Sequence, residues 1–122
     1  MDNRSSLPVD TVVDGSYRIR RIVGSGGFGI TYEAEDLSLS TRVALKEYYP
    51  ADFGDRDSTL SVHPKSHRHR KAFEWGRDNF LNEARMLARF EHPSIVRVTR
   101  VFQTNATAYM VMRFEEGQSF AA

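Results

Sequence analysis

Cysteine is absent from the chain, which excludes disulfide frameworks, thiolate zinc sites and cysteine nucleophiles together and leaves a reducing compartment permitted. Long apolar runs are missing as well. The amino terminus, Met1-Asp2-Asn3-Arg4-Ser5-Ser6, lacks the apolar core of a signal peptide, and no segment approaches the ~18 apolar residues that a spanning helix needs. Charge of one sign is not in excess either: 17 Lys and Arg face 16 Asp and Glu, for a net charge of +1, so no global field draws the chain to nucleic acid or to an anionic membrane. The expectation is a soluble, cytoplasmic segment with no nucleic-acid or membrane partner. Proline is sparse, four in all, and it marks boundaries: Pro50 closes an extended run and Pro93 biases His92 out of the α region.

What is present suffices for one core. The 122 residues are 40% apolar and include eight Phe, five Tyr and one Trp, enough for a single compact domain. Residues 1–16 read as a polar arm ending in a turn at Asp14-Gly15. Alternating patterns then predict strands over Tyr17–Val23, Ile30–Glu35 and Arg42–Tyr48. Ala51 to Arg70 is polar and charged and is expected to be a mobile excursion over the surface. Phe80, Ala84 and Leu87 share one helical face at spacings of four and three. Because Gly76 costs about 1 kcal/mol inside a helix and Asp78 is a plausible cap, the helix is expected to run from about Asp78 to about Glu91. Two further strands, Ile95–Phe102 and Ala108–Met112, flank a turn at Thr104-Asn105. The fold class is α+β, in the order β-β-β-α-β-β.

Gly24-Ser25-Gly26-Gly27-Phe28-Gly29 matches G-x-G-x-x-G, where residues without Cβ let backbone N–H groups close on phosphate oxygens. The pattern is shared by plain flexible turns and by dinucleotide-binding turns, but in the latter a helix must follow the glycines. Here Ile30-Thr31-Tyr32 follows, a strand pattern. Lys46 lies 17 positions after Gly29 in Val43-Ala44-Leu45-Lys46 and shares a strand face with Ala44. An inward lysine needs a counter-charge, since an unpaired buried charge costs about 3–5 kcal/mol. Glu83, on the helical face of Phe80 and Leu87, offers one.

These elements together resemble the amino-terminal, ATP-binding lobe of protein kinases, in a bacterial, eukaryotic-like serine/threonine branch. His92-Pro93-Ser94-Ile95-Val96 and Tyr109 to Gly117 are similar to further stretches of that lobe, so the resemblance covers roughly Tyr17 to Phe120. It implies a five-stranded antiparallel sheet packed on one main helix over residues 17–122, with an insertion at about 49–77, because Lys46 and Glu83 stand 37 positions apart, more than in the typical member. It also implies that ATP is the ligand: Gly24 to Gly29 form the lid, Lys46 binds the α- and β-phosphates, and Glu83 orients Lys46. Val23, Thr31, Ala44, Val96 and Met112 would wall the base, with Met112 as gatekeeper, while the Arg113 carbonyl and the Glu115 amide would meet the adenine edge. Leu87 and Val98 would belong to the apolar column linking the two lobes.

Two departures stand out: Thr31 replaces the usual valine, and Arg113 the common hinge glutamate, where only backbone is asked to bind. Downstream of the Tyr109 to Gly117 stretch neither H-R-D nor D-F-G follows within the 122 residues, and the one D-F-G tripeptide, Asp52-Phe53-Gly54, lies far upstream, before the helix, so no catalytic base or Mg²⁺ ligand is expected here. The resemblance therefore implies phosphoryl transfer to protein Ser/Thr only in a longer parent that supplies the second lobe. Alternatives are a pseudokinase or nucleotide-sensing module, or an interaction domain that self-associates through apolar surface. His63, His67 and His69, with Lys65, Arg68, Arg70 and Lys71, form a basic tract that reads as a solvated loop or as a phosphate or metal site.

Overall fold

The computed structural model describes residues 5–89 and 97–114. Its elements are β1 (Val12–Val13), β2 (Tyr17–Ser25), β3 (Gly29–Asp36), β4 (Thr41–Tyr48), β5 (Gly54–Arg56), β6 (Val62–Pro64), a 3-10 turn (His67–His69), α1 (Arg70–Leu87), β7 (Val98–Thr104) and β8 (Thr107–Arg113). The main sheet is antiparallel in the order β1-β2-β3-β4-β8-β7, and β5 pairs with β6 in a separate ladder. The expected α+β lobe of one sheet on one helix is found, but the main sheet has six strands rather than five. The sixth comes from the arm, where Val12 and Val13 pair with Arg18 and Tyr17.

Packing follows from the strand period of two. On one face of β4 and β8, Ala44, Met110 and Met112 meet Ala84 of α1 and Val98 of β7. Residues of opposite parity, Leu45, Tyr109 and Val111, join Tyr32, Leu7, Val13 and Val62 in the larger cluster. The arm and the β5–β6 hairpin thus cover the sheet face turned away from α1. The β7–β8 connection is the two-residue turn Asn105-Ala106, both at positive φ (53° and 58°), the backbone that matches the right-handed twist of the flanking strands.

Two sequence expectations are corrected. The segment 51–70 is not a mobile excursion: it is paired as β5–β6, and Val62 is 1% exposed. The helix begins at Arg70, eight residues before Asp78, which therefore lies within it and does not cap it. Gly76 is tolerated there because a side chain would not fit. A Cβ would stand 2.2 Å from the Tyr48 hydroxyl, which donates to the Phe73 carbonyl at 2.9 Å. Tertiary contact with β4 thus outweighs the local cost of glycine. The expected helix end at Glu91 lies outside the described residues; α1 closes at Leu87, with Ala88 N–H reaching Ala84 O.

Candidate functional site

The glycine cluster forms the β2–β3 connection. Gly26 N–H donates to Gly29 O at 3.0 Å, and a strand, not a helix, follows, which rules out the dinucleotide-binding turn. Register shifts in β2 at Ile19/Arg21 and Ile22/Gly24 add twist to the strand that leads into the loop. Phe28 stands at the tip, 66% exposed, and Ser25, Gly26 and Gly27 are exposed beside it. Gly29 is buried, and its missing side chain matters: a Cβ would lie 3.0 Å from Glu47 O and 3.3 Å from Lys46 Cε. The Lys46 chain therefore runs close against the base of the loop, where a side chain at 29 would crowd it and the Glu47 carbonyl.

Around Lys46, the ladder places Thr31 directly opposite it and Ala44 opposite Met112. Thr31, Ala44 and Met112 are buried, while Lys46, Gly24 and Val23 are half-buried. Ala44 and Met112 thus lie side by side in the ladder, in the cluster that also holds Ala84, Val98 and Met110. Arg113 is exposed at the end of β8, its N–H donating to Arg97 O at 3.1 Å. Val96 and Glu115 lie outside the described residues.

Phe80 and Leu87 of α1 pack against the Ala44 cluster, and Ala84 is part of it, as the helical face requires. Val98 is buried in the same cluster as Leu87's contacts. Glu83 sits at the border of that face and is exposed. Among the described residues, Glu83 and Lys46 form no ion pair with one another.

A buried polar network behind β4 went unread in the sequence. Glu47 is 0% exposed and accepts hydrogen bonds from Tyr32 at 2.8 Å, Tyr109 at 2.5 Å and both terminal nitrogens of Arg56, at 2.5 and 3.1 Å. Arg56 also donates to the carbonyls of Ser5 and Leu60, and Leu7 N–H donates to the Tyr32 hydroxyl. The arm, the β5–β6 hairpin and the central sheet are thus joined through one carboxylate, which charge-assisted bonds satisfy. Burial, reinforced by the Glu47 charge, pushes the Tyr32 and Tyr109 phenols far above their ordinary range. Burial works against the charged form of Arg56, but its hydrogen bond and attraction to Glu47 outweigh that and hold it more firmly protonated. The available signal was an acid in line with Val43 and Leu45 on one strand face.

The basic tract divides. His63 pairs with Asp57, whose carboxyl is held far below its usual range, first by the Thr59 hydroxyl and then by His63. Ser66 and His69 bond at 2.8 Å as the 3-10 turn leads into α1. Among the described residues no group of three His, Asp or Glu is placed to hold a metal ion, and no helix is long and apolar enough to cross a membrane.

Comparison with known proteins agrees with this geometry. The family model described as "Protein kinase domain" matches residues 17–122. The serine/threonine-protein kinase pkn2 of Myxococcus xanthus is 34% identical over 112 residues, covering 92% of this chain and 11% of its own length. Serine/threonine-protein kinase PknE of Mycobacterium bovis is 33% identical over 108 residues, covering 88% and 16% respectively. Among solved structures, one titled "PpkA-294 apo form" superposes with a TM-score of 0.87 at 40% identity, over 90% of this chain and 39% of that one. The chain thus spans a minor part of the relatives it matches. With the lid, Lys46 and the helix in the arrangement described, and the family model matching from Tyr17 to the last residue, the chain belongs to the protein kinase domain family and is similar to bacterial serine/threonine kinases.

Proposed function

We propose that this chain binds ATP, with Mg²⁺, as the nucleotide-binding lobe of a serine/threonine protein kinase whose other lobe supplies the catalytic base and metal ligands. The observation that carries the reading is Lys46 lying against Gly29 at the base of the loop, 3.3 Å from where a Cβ would be, on the strand that pairs Ala44 with Met112. A cation held there stabilises phosphate charge without reacting covalently. The loop from Gly24 to Gly29 covers the phosphates with backbone N–H groups that its own turn does not use, Gly26 N–H being spent on Gly29 O. Val23, Thr31, Ala44, Val96 and Met112 enclose the base, and the Arg113 carbonyl and Glu115 amide bond its edge. Glu83 is the counter-charge of Lys46 in the nucleotide-bound arrangement, which requires its side chain to leave the exposed position it holds here. The parent's phosphoryl acceptor is a protein Ser or Thr, and a nucleotide of this kind places the lobe in the cytoplasm.

Titration of the 122-residue chain with Mg–ATP tests this. Binding is weak, and Lys46→Ala lowers it about tenfold or more, the loss expected for a hydrogen bond to a charged group. Superimposable curves for wild type and Lys46→Ala would sink the assignment.

A further inference from the structure

Two peptide groups of the glycine loop are engaged from outside it. Ala51 N–H donates to Gly27 O and Tyr49 N–H donates to Phe28 O, each at 3.1 Å. Both acceptors belong to trans peptides, which are planar and carry N–H antiparallel to C=O. The N–H groups of Phe28 and Gly29, in those same two peptide units, are therefore turned away from the 49–51 segment. They lie at the loop tip and at its base, and of the two residues Gly29 stands against the Lys46 chain.

The segment that holds them is itself rigidly seated. Tyr49 and Pro50 are buried, and Phe53 N–H closes a turn onto Pro50 O at 3.0 Å. Gly54 is wedged so tightly that a Cβ would meet Pro50 O at 3.2 Å and the Phe73 ring at 3.3 Å. Lys65 N–H holds Phe53 O at 2.9 Å, and two residues past Gly54, Arg56 is locked onto Glu47. From this platform the Phe53 ring meets the Phe28 ring edge-on, with centroids 6.5 Å apart. An unbroken series of contacts runs from α1 and the back-face network to the tip of the loop.

We infer that Tyr49 to Phe53 is a positioning element for phosphate binding: by holding the Gly27 and Phe28 carbonyls, it presets the Phe28 and Gly29 amides as donors to the phosphate chain of the nucleotide. This rests on the nucleotide-binding reading above. A glycine-rich loop has the most backbone freedom to lose on ordering, and donors oriented beforehand avoid that cost at binding. The insertion therefore contributes to the affinity for phosphates and not to that for the base.

Comparison of ATP with adenosine on the full 122-residue chain separates the two contributions. Ala51→Pro removes the N–H that Gly27 O accepts, and Phe53→Leu removes the ring contact. The expected result is an ATP affinity about fivefold to tenfold lower in Ala51→Pro, the worth of a neutral hydrogen bond with its ordering, and a smaller loss in Phe53→Leu, with adenosine affinity unchanged in both. Unchanged ATP affinity in Ala51→Pro, or an equal loss for both ligands, overturns the inference. Wild-type chain that binds adenosine as tightly as ATP also overturns it while leaving nucleotide binding intact, whereas binding of neither ligand removes the reading it rests on. Amide measurements on the wild type decide the matter even if Ala51→Pro does not fold. ATP should shift the Phe28 and Gly29 amide resonances while Tyr49 and Ala51 N–H stay protected from exchange, and loss of that protection on binding refutes the inference.

Discussion

Replacing Gly76 with alanine sets helix propensity against tertiary packing at one atom. Propensity alone favours the substitution by about 1 kcal/mol. The structure opposes it, because the new Cβ would lie 2.2 Å from the Tyr48 hydroxyl and 3.0 Å from its Cζ, and Tyr48 is 2% exposed, with little room to retreat. If the phenol withdraws, its bond to Phe73 O is lost, at about 1–3 kcal/mol for a buried group left unpaired. If it stays, overpacking costs about 1–3 kcal/mol. Gly76→Ala is therefore expected to destabilise the chain by about 1 kcal/mol net and at most about 2 kcal/mol, a sizeable share of the stability of a small domain. Tyr48→Phe alone should cost about 1 kcal/mol through the lost hydrogen bond, yet it also removes the atom in closest contact. The double variant should then be more stable than Gly76→Ala alone, a coupling that a urea-denaturation cycle with constant m-values resolves. Gly76→Ala at or above wild-type stability, or strictly additive effects, would refute the reasoning.

Arg56→Met should cost about 3–5 kcal/mol by leaving the Glu47 carboxylate buried without its cation, and Glu47→Gln added to it should recover part of that in thermal melts; a single variant within 1 kcal/mol of wild type would show the pair to be dispensable. Stability should also fall in alkali. Burial pushes the Tyr48 phenol up to about 12 and those of Tyr32 and Tyr109 higher still, all above the unfolded value of about 10. The protonated forms favour the fold, so this contribution is complete below about pH 10 and is lost as pH rises through about 12. In an ultraviolet titration, these three of the five tyrosines should ionise only as the fold is lost, and ionisation of all five near pH 10 in an intact fold would count against it.

The strands, and which residues share a face along them, were legible because they rest on local periodicity. Alternation placed Tyr17–Val23, Ile30–Glu35, Arg42–Tyr48 and Ala108–Met112 within observed strands, and the strand after the glycines already distinguished the lid from a dinucleotide-binding turn. Ala44 and Met112, 68 positions apart, face each other in the ladder. Local signals failed where distant residues set the outcome. Gly76 reads as a breaker until Tyr48 is seen beside it, and Asp78 reads as a cap until the preceding turns are seen to be helical. Residues 51–70 read as mobile because their polar character conceals Arg56, whose partner Glu47 lies on another strand.

By itself, then, the amino-acid sequence determined the α+β class, the glycine hairpin, and the positions of Lys46 and Ala44 on one strand face, because periods of two and of about 3.6 and the steric freedom of glycine act over a few residues. Tertiary structure alone decided that the segment after β4 is paired and packed, that Glu47 binds the arm and hairpin to the sheet, that Glu83 is exposed and not paired with Lys46, and that two amides beyond β4 bond the loop. Each of those depends on which surfaces meet after the chain has folded, where burial strengthens or forbids a contact that sequence spacing cannot register.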